Sequence, residues 1–79
     1  MRIANDSRYG LGGGVFCKDV DRAVSLACDH FDTGMVRINS FGAADVNMPF
    51  GGMKDSGYGR EHGGFGMKEF VNAKAVYLP

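Results

Sequence analysis

Apolar residues after Asp19 recur at helical spacing: Val20, Ala23, Val24, Ala27, Cys28 and Phe31 fall at i, i+3, i+4, i+7, i+8 and i+11. Such a stripe predicts a helix near residues 20–33 with one face turned to a core. Asp19 stands where an N-cap accepts a first-turn amide, and Asp21 suits the positive end of the helix dipole. Gly34 occupies the place where a left-handed residue would end the helix. On both sides the period shortens to two. Gly14-Val15-Phe16-Cys17 is a β-prone run, and Met35-Val36-Arg37-Ile38-Asn39 alternates with Val36 and Ile38 on one face. The expected unit is strand–helix–strand, whose usual solution is a right-handed parallel crossover, so the fold class is α/β.

From Ser40 to about Gly64 no period holds, and glycine punctuates the stretch. A loop of that length is normally functional or packs against something outside itself. A helical turn around Gly66 to Val71 and a strand from Lys74 to Leu78 are predicted at the end. Residues 1–79 contain no repeat and no dividing linker, so they read as one partial domain with a closing oligomerisation strand at about 72–79. So little chain cannot cover both faces of the helix and strands, and unpaired sheet edges are a liability that proteins avoid. The expectation is an incomplete domain whose missing layer comes from another chain or a longer parent.

Composition sharpens this. Thirteen of the 79 residues are glycine, about 16% where roughly 7% is usual. At this size the gain from burial and the cost of ordering the chain nearly cancel, and a compact globule of this mass exposes about 4,700 Å². Nine basic and nine acidic side chains balance, which argues against a nucleic-acid or anionic-membrane partner. No apolar run approaches the roughly 18 residues of a membrane span. The opening Met1-Arg2-Ile3-Ala4-Asn5-Asp6-Ser7 turns polar at once, so no signal peptide is expected. Two cysteines make no disulfide scaffold, and a cytoplasmic location follows as the expectation.

The glycine clusters invite a nucleotide reading that fails on spacing. Gly52 and Gly57 match the glycines of a phosphate loop, but Tyr58 stands where lysine is required. The cluster from Gly10 to Gly14 has Val15 in place of the last small residue and precedes a strand instead of following one. Tight turns and close backbone contacts are the better account. His30 and His62 have no zinc-type spacing to each other or to Cys17 and Cys28. Cys28, on the apolar stripe, reads as a core hydrophobe. Cys17 lies beside Lys18 with no histidine base nearby, so a nucleophilic role is not expected.

The stretch Pro49-Phe50-Gly51-Gly52-Met53-Lys54-Asp55-Ser56-Gly57-Tyr58-Gly59-Arg60-Glu61 closely resembles the C-terminal signature of the NAD(P)-dependent aldehyde dehydrogenase superfamily. Ala4-Asn5-Asp6-Ser7-Arg8-Tyr9-Gly10-Leu11, then Gly14-Val15-Phe16 and Lys18-Asp19, resemble the block that precedes it. Gly34-Met35-Val36-Arg37-Ile38-Asn39 and Lys74-Ala75-Val76 are similar to a strand ending in Asn and to the closing strand. Together these blocks cover nearly the whole chain in order. The resemblance implies a parent that oxidises aldehydes to acids with NAD or NADP. It also implies that the nucleophilic cysteine, the general-base glutamate and the dinucleotide-binding domain lie upstream of the matched region. The chain alone is therefore expected to bind no cofactor and to be inactive.

Residue by residue, the resemblance implies a substrate-tunnel wall at Phe50, with Phe41 and Ala44 in the variable loop at the tunnel mouth. Small residues at Ala43 and Ala44 imply a roomier tunnel suited to bulky or aromatic aldehydes. Glu61 matches a proposed proton-relay glutamate, although a buried carboxylate bonded to backbone amides is at least an equal reading. The backbone carbonyls of Lys54 and Gly57 match a monovalent-cation position of some relatives. Arg60 and Asn72 match a subunit contact, but Asn72 replaces a glutamate, so Arg60 needs another partner. The implied partners are the rest of the parent enzyme and neighbouring subunits of a homo-oligomer. The alternative is a freestanding interaction module descended from the same segment.

Overall fold

The computed structural model describes residues 1–42 and 44–79. A one-turn helix α1 (Arg2–Asn5) leads to β1 (Tyr9–Gly10), β2 (Gly12–Val15), α2 (Val20–His30), β3 (Met35–Ile38), β4 (Met53–Lys54) and a 3₁₀ turn (Met67–Phe70). A strand–helix–strand unit is present: β2 and β3 run parallel, with Gly12 opposite Met35 and Val15 opposite Ile38, although the first strand lies two residues before the predicted Gly14–Cys17 run and leaves Phe16 and Cys17 outside it. β1 and β4 form a separate antiparallel pair, Tyr9 opposite Lys54. The mixed helix and strand content agrees with an α/β class, and the 3₁₀ turn lies inside the predicted helical turn.

Helix α2 begins as predicted, because the Asp19 carboxylate accepts the Arg22 amide at 3.0 Å. Its end differs from expectation. Gly34 is not left-handed, and α2 stops at His30 with Phe31 already extended. The cap is Asn5, whose Nδ2 donates to the His30 carbonyl at 2.6 Å while its Oδ1 accepts the Asp32 N–H at 3.0 Å. One amide side chain thus satisfies an orphan carbonyl of the last turn and the first free amide beyond it. Gly34 serves close approach instead: a Cβ there would collide with the Gly51 carbonyl. Its N–H donates to the Gly10 carbonyl at 3.0 Å, and Gly10 N–H donates to Ser56 Oγ at 3.0 Å. The centre of the molecule is therefore backbone packed on backbone, with Gly10 and Gly52 buried.

Side chains add little interior. Ala23 is the one buried hydrophobic side chain among the described residues. Leu26 and Ala27 are half-buried, whereas Val20, Val24 and Cys28 are exposed. Cys28 is therefore not the core residue that its spacing suggested: a two-stranded sheet covers only one side of α2. The predicted strand Lys74–Leu78 is also corrected. Residues 72–79 form no strand and are exposed throughout, because a strand exists only where a neighbour pairs with it. The chain exposes 6628 Å², well above the roughly 4,700 Å² of a compact globule of this mass. Its radius of gyration is 16.0 Å, against about 11.6 Å for a compact domain of this length. Among the described residues, no helix is long and apolar enough to cross a membrane.

Candidate functional site

The site begins where the parallel strands end. Asn39 follows β3 with φ of 53°, a left-handed conformation in which asparagine is enriched several-fold. Its N–H donates to the Val15 carbonyl at 2.9 Å. Its side chain then pairs twice with the backbone of Cys17, Oδ1 accepting the N–H and Nδ2 donating to the carbonyl, both at 2.8 Å. The Asn39 amide thus prolongs the β2–β3 ladder after the backbone has turned away. Two residues later the Phe41 ring meets the Phe16 ring, with centroids 5.0 Å apart and a tilt of 42°.

Between these strand ends and the following loop lies a groove of about 830 Å³, walled chiefly by Leu11, Phe16, Met35, Phe41, Met48 and Phe50 and bordered by Ala44. The three residues implied as tunnel wall (Phe41, Ala44 and Phe50) are therefore brought together. Ala43 lies outside the described residues. The groove is mostly apolar, as ligand-binding clefts generally are. Phe41 is 89% exposed, so the groove is open to solvent on its side.

Phe50 is held from behind. It exchanges two backbone hydrogen bonds with Glu61, at 2.9 and 2.7 Å, and its ring lies 5.7 Å from that of His62. Glu61 itself is set apart from the groove: its side chain is exposed and borders a smaller depression with Arg60, His62 and Glu69. Nδ1 of His62 is buried without a hydrogen-bond partner among the described residues.

Arg60 finds its partner within the chain. Its Nη1 donates to the Gly52 and Gly59 carbonyls, each at 2.7 Å, so the guanidinium clasps the glycine loop through backbone carbonyls, a partner other than the glutamate that Asn72 replaces. Asn72 stands in the exposed terminal segment. Lys54 and Gly57 occupy a turn with φ of 57° and 103°, and the Lys54 carbonyl accepts the Gly57 N–H at 3.1 Å. The Lys54 ammonium donates to the Asn5 and Ser7 carbonyls at 3.3 Å and lies 3.9 Å from the Asp32 carboxylate. It ties the glycine loop to the N-terminal block. No group of three His, Cys, Asp or Glu converges among the described residues.

Spacing did not single out Phe16 or the Asn39–Cys17 pairing. The available signal was an asparagine closing an alternating run, a frequent left-handed position.

The model of the aldehyde dehydrogenase family matches residues 1–76. A succinate-semialdehyde dehydrogenase [NADP(+)] of Deinococcus radiodurans is 53% identical over 76 residues, covering 96% of this chain and 16% of the relative. Geranial dehydrogenase of Castellaniella defragrans is 49% identical over 78 residues, covering 99% of this chain and 16% of that protein. Among solved structures, an aldehyde dehydrogenase of Mycobacterium tuberculosis complexed with NAD+ superposes with a TM-score of 0.92 at 45% identity. That match covers 99% of this chain and 16% of the solved one. The chain thus spans about one sixth of the length of these proteins.

Proposed function

This chain belongs to the aldehyde dehydrogenase family, whose members oxidise aldehydes, and from that premise we propose that it is a C-terminal portion of an NAD(P)-dependent enzyme. In this reading it forms one wall of the aldehyde tunnel and part of a subunit contact. The observation that carries it is the gathering of Phe41, Ala44 and Phe50 on one apolar groove. The groove offers hydrophobic contact to the tail of an aldehyde and leaves the facing wall, the reacting groups and NAD or NADP to the rest of the enzyme. Arg60 fixes the loop behind Phe50. The exposed segment 72–79, with Val76, Tyr77 and Leu78 all more than three-quarters exposed, is the part that a neighbouring subunit would cover. Glu61 retains the role of a proton relay only if groups outside this chain reach its exposed carboxylate.

Replacing the matching stretch of the Deinococcus radiodurans enzyme with residues 1–76 tests this. The chimera is expected to reduce NADP in the presence of an aldehyde, while the isolated 79-residue chain forms no NADH or NADPH. Phe50→Ala in the chimera should raise KM for apolar aldehydes about tenfold, since loss of one well-packed hydrophobic contact is worth roughly 1–3 kcal/mol. Turnover by the isolated chain would contradict the reading, as would a KM indifferent to Phe50.

A further inference from the structure

The Phe16–Phe41 pair is an apolar feature of the groove whose pairing no motif in the sequence announces. Both rings are exposed, Phe16 at 59% and Phe41 at 89%, yet each is anchored by its neighbour. Phe16 directly precedes Cys17, whose N–H and carbonyl are both bound by the Asn39 side chain. Phe41 follows Asn39 by two residues. The amide pairing therefore sets the spacing of the two segments that follow β2 and β3 and carry the rings, and the rings meet at 5.0 Å with a 42° tilt, inside the range in which aromatic pairs attract. Backbone bonding alone would not achieve this, because after the Asn39 N–H bond to Val15 the left-handed turn carries the chain away from β2.

We propose that Asn39 is a positioning residue of the groove. By clasping Cys17 it fixes the Phe16–Phe41 pair as the part of the wall that selects flat, aromatic aldehydes over short aliphatic ones. This assignment rests on the tunnel-wall reading above. A planar tail gains a ring contact from the fixed pair, and Phe50 lines the same groove. A short alkyl tail makes no such contact and is indifferent to whether the pair is ordered.

Two substitutions separate the clasp from backbone strain. Asn39→Gly keeps the left-handed φ at no steric cost but removes both bonds to Cys17. Asn39→Asp keeps the size and the acceptor, yet places a second carboxylate oxygen against the Cys17 carbonyl. In the chimera described above, both are expected to raise KM for benzaldehyde roughly five- to tenfold, the scale of one aromatic contact with its ordering. KM for propanal and both kcat values should stay within about twofold, which a general loss of structure would not allow. Phe16→Ala should reproduce the pattern, and the Phe16→Ala, Asn39→Gly double variant should be no worse than the poorer single one, because the two act through one contact.

If Phe50→Ala raises KM while the Asn39 variants leave the benzaldehyde-to-propanal ratio unchanged, Asn39 has no such role and the tunnel wall stands. If Phe50→Ala also changes nothing, the wall itself is misassigned and this inference falls with it. Should the Asn39 variants of the chimera not fold, Phe16→Ala decides, since it leaves the clasp intact. A benzaldehyde-to-propanal KM ratio unchanged by Phe16→Ala overturns the assignment.

Discussion

At the scale of single residues, the glycines do two distinct jobs. Gly34 has an ordinary φ, but a Cβ there would strike the Gly51 backbone. Gly57 has φ of 103° and nothing within 4 Å of the place a Cβ would take. Gly64 has neither constraint. Alanine at these positions should therefore separate crowding from conformational strain. Gly34→Ala is expected to cost more than about 3 kcal/mol, because backbone cannot yield as a side chain can. Gly57→Ala should cost about 1–2 kcal/mol from its left-handed backbone alone, and Gly64→Ala should lie within about 0.5 kcal/mol of neutral. Thermal melts of the three variants in the chimeric enzyme give the order, and a harmless Gly34→Ala would refute the packing described. The glycine count announced close contacts, but which glycine meets which backbone could not be read from spacing. Gly34 looked like a helix cap because it follows a helix, whereas its position is set by a segment 17 residues further along.

At the scale of elements, α2 is the most legible part of the chain, and its two ends show why. The start is local: Asp19 caps Arg22 three residues on. The end is not, since Asn5 lies 25 residues away from the carbonyl it caps. Asp19→Ala should destabilise the helix by about 1 kcal/mol. Asn5→Ala should cost a similar amount, since it frees a carbonyl and an amide, but at the opposite end. Hydrogen exchange distinguishes them: the first accelerates amides near residues 21–23, the second the Asp32 amide and the last turn. Equal acceleration along the whole helix in both variants would contradict separate caps.

At the scale of the whole molecule, the surface is too large for the mass. The excess over a compact globule is about 1,900 Å², the difference between 6628 Å² and roughly 4,700 Å², and it is about twice the roughly 800 Å² that each partner contributes to a standard protein interface. Much of it is apolar, including Val20 and Val24 on α2 and the segment ending in Tyr77 and Leu78. Alone, the chain is expected to associate as its concentration rises, which sedimentation velocity will detect. A sharply melting monomer that stays monomeric at high concentration would exclude this. Within the chimera the same faces should become protected from exchange, because the rest of the enzyme covers them.

The sequence by itself determined what acts over a few residues, the start of α2 at Asp19 and the turn at Met67–Phe70, and its alternating runs announced the two strands that flank α2; the grouping of Phe41 with Ala44 came from the family resemblance and from no local pattern. Helical period, cap chemistry and alternation are short-range, so they survive without knowledge of the neighbours. Only the tertiary structure decided that Asn5 ends α2, that Gly34 makes room for Gly51, that Asn39 binds Cys17 across 22 positions, and that Cys28 faces outward. Each of these depends on which distant backbone lies alongside. Lys74–Leu78 pairs with no strand among the described residues, and β-prone residues alone make no strand without a neighbouring backbone.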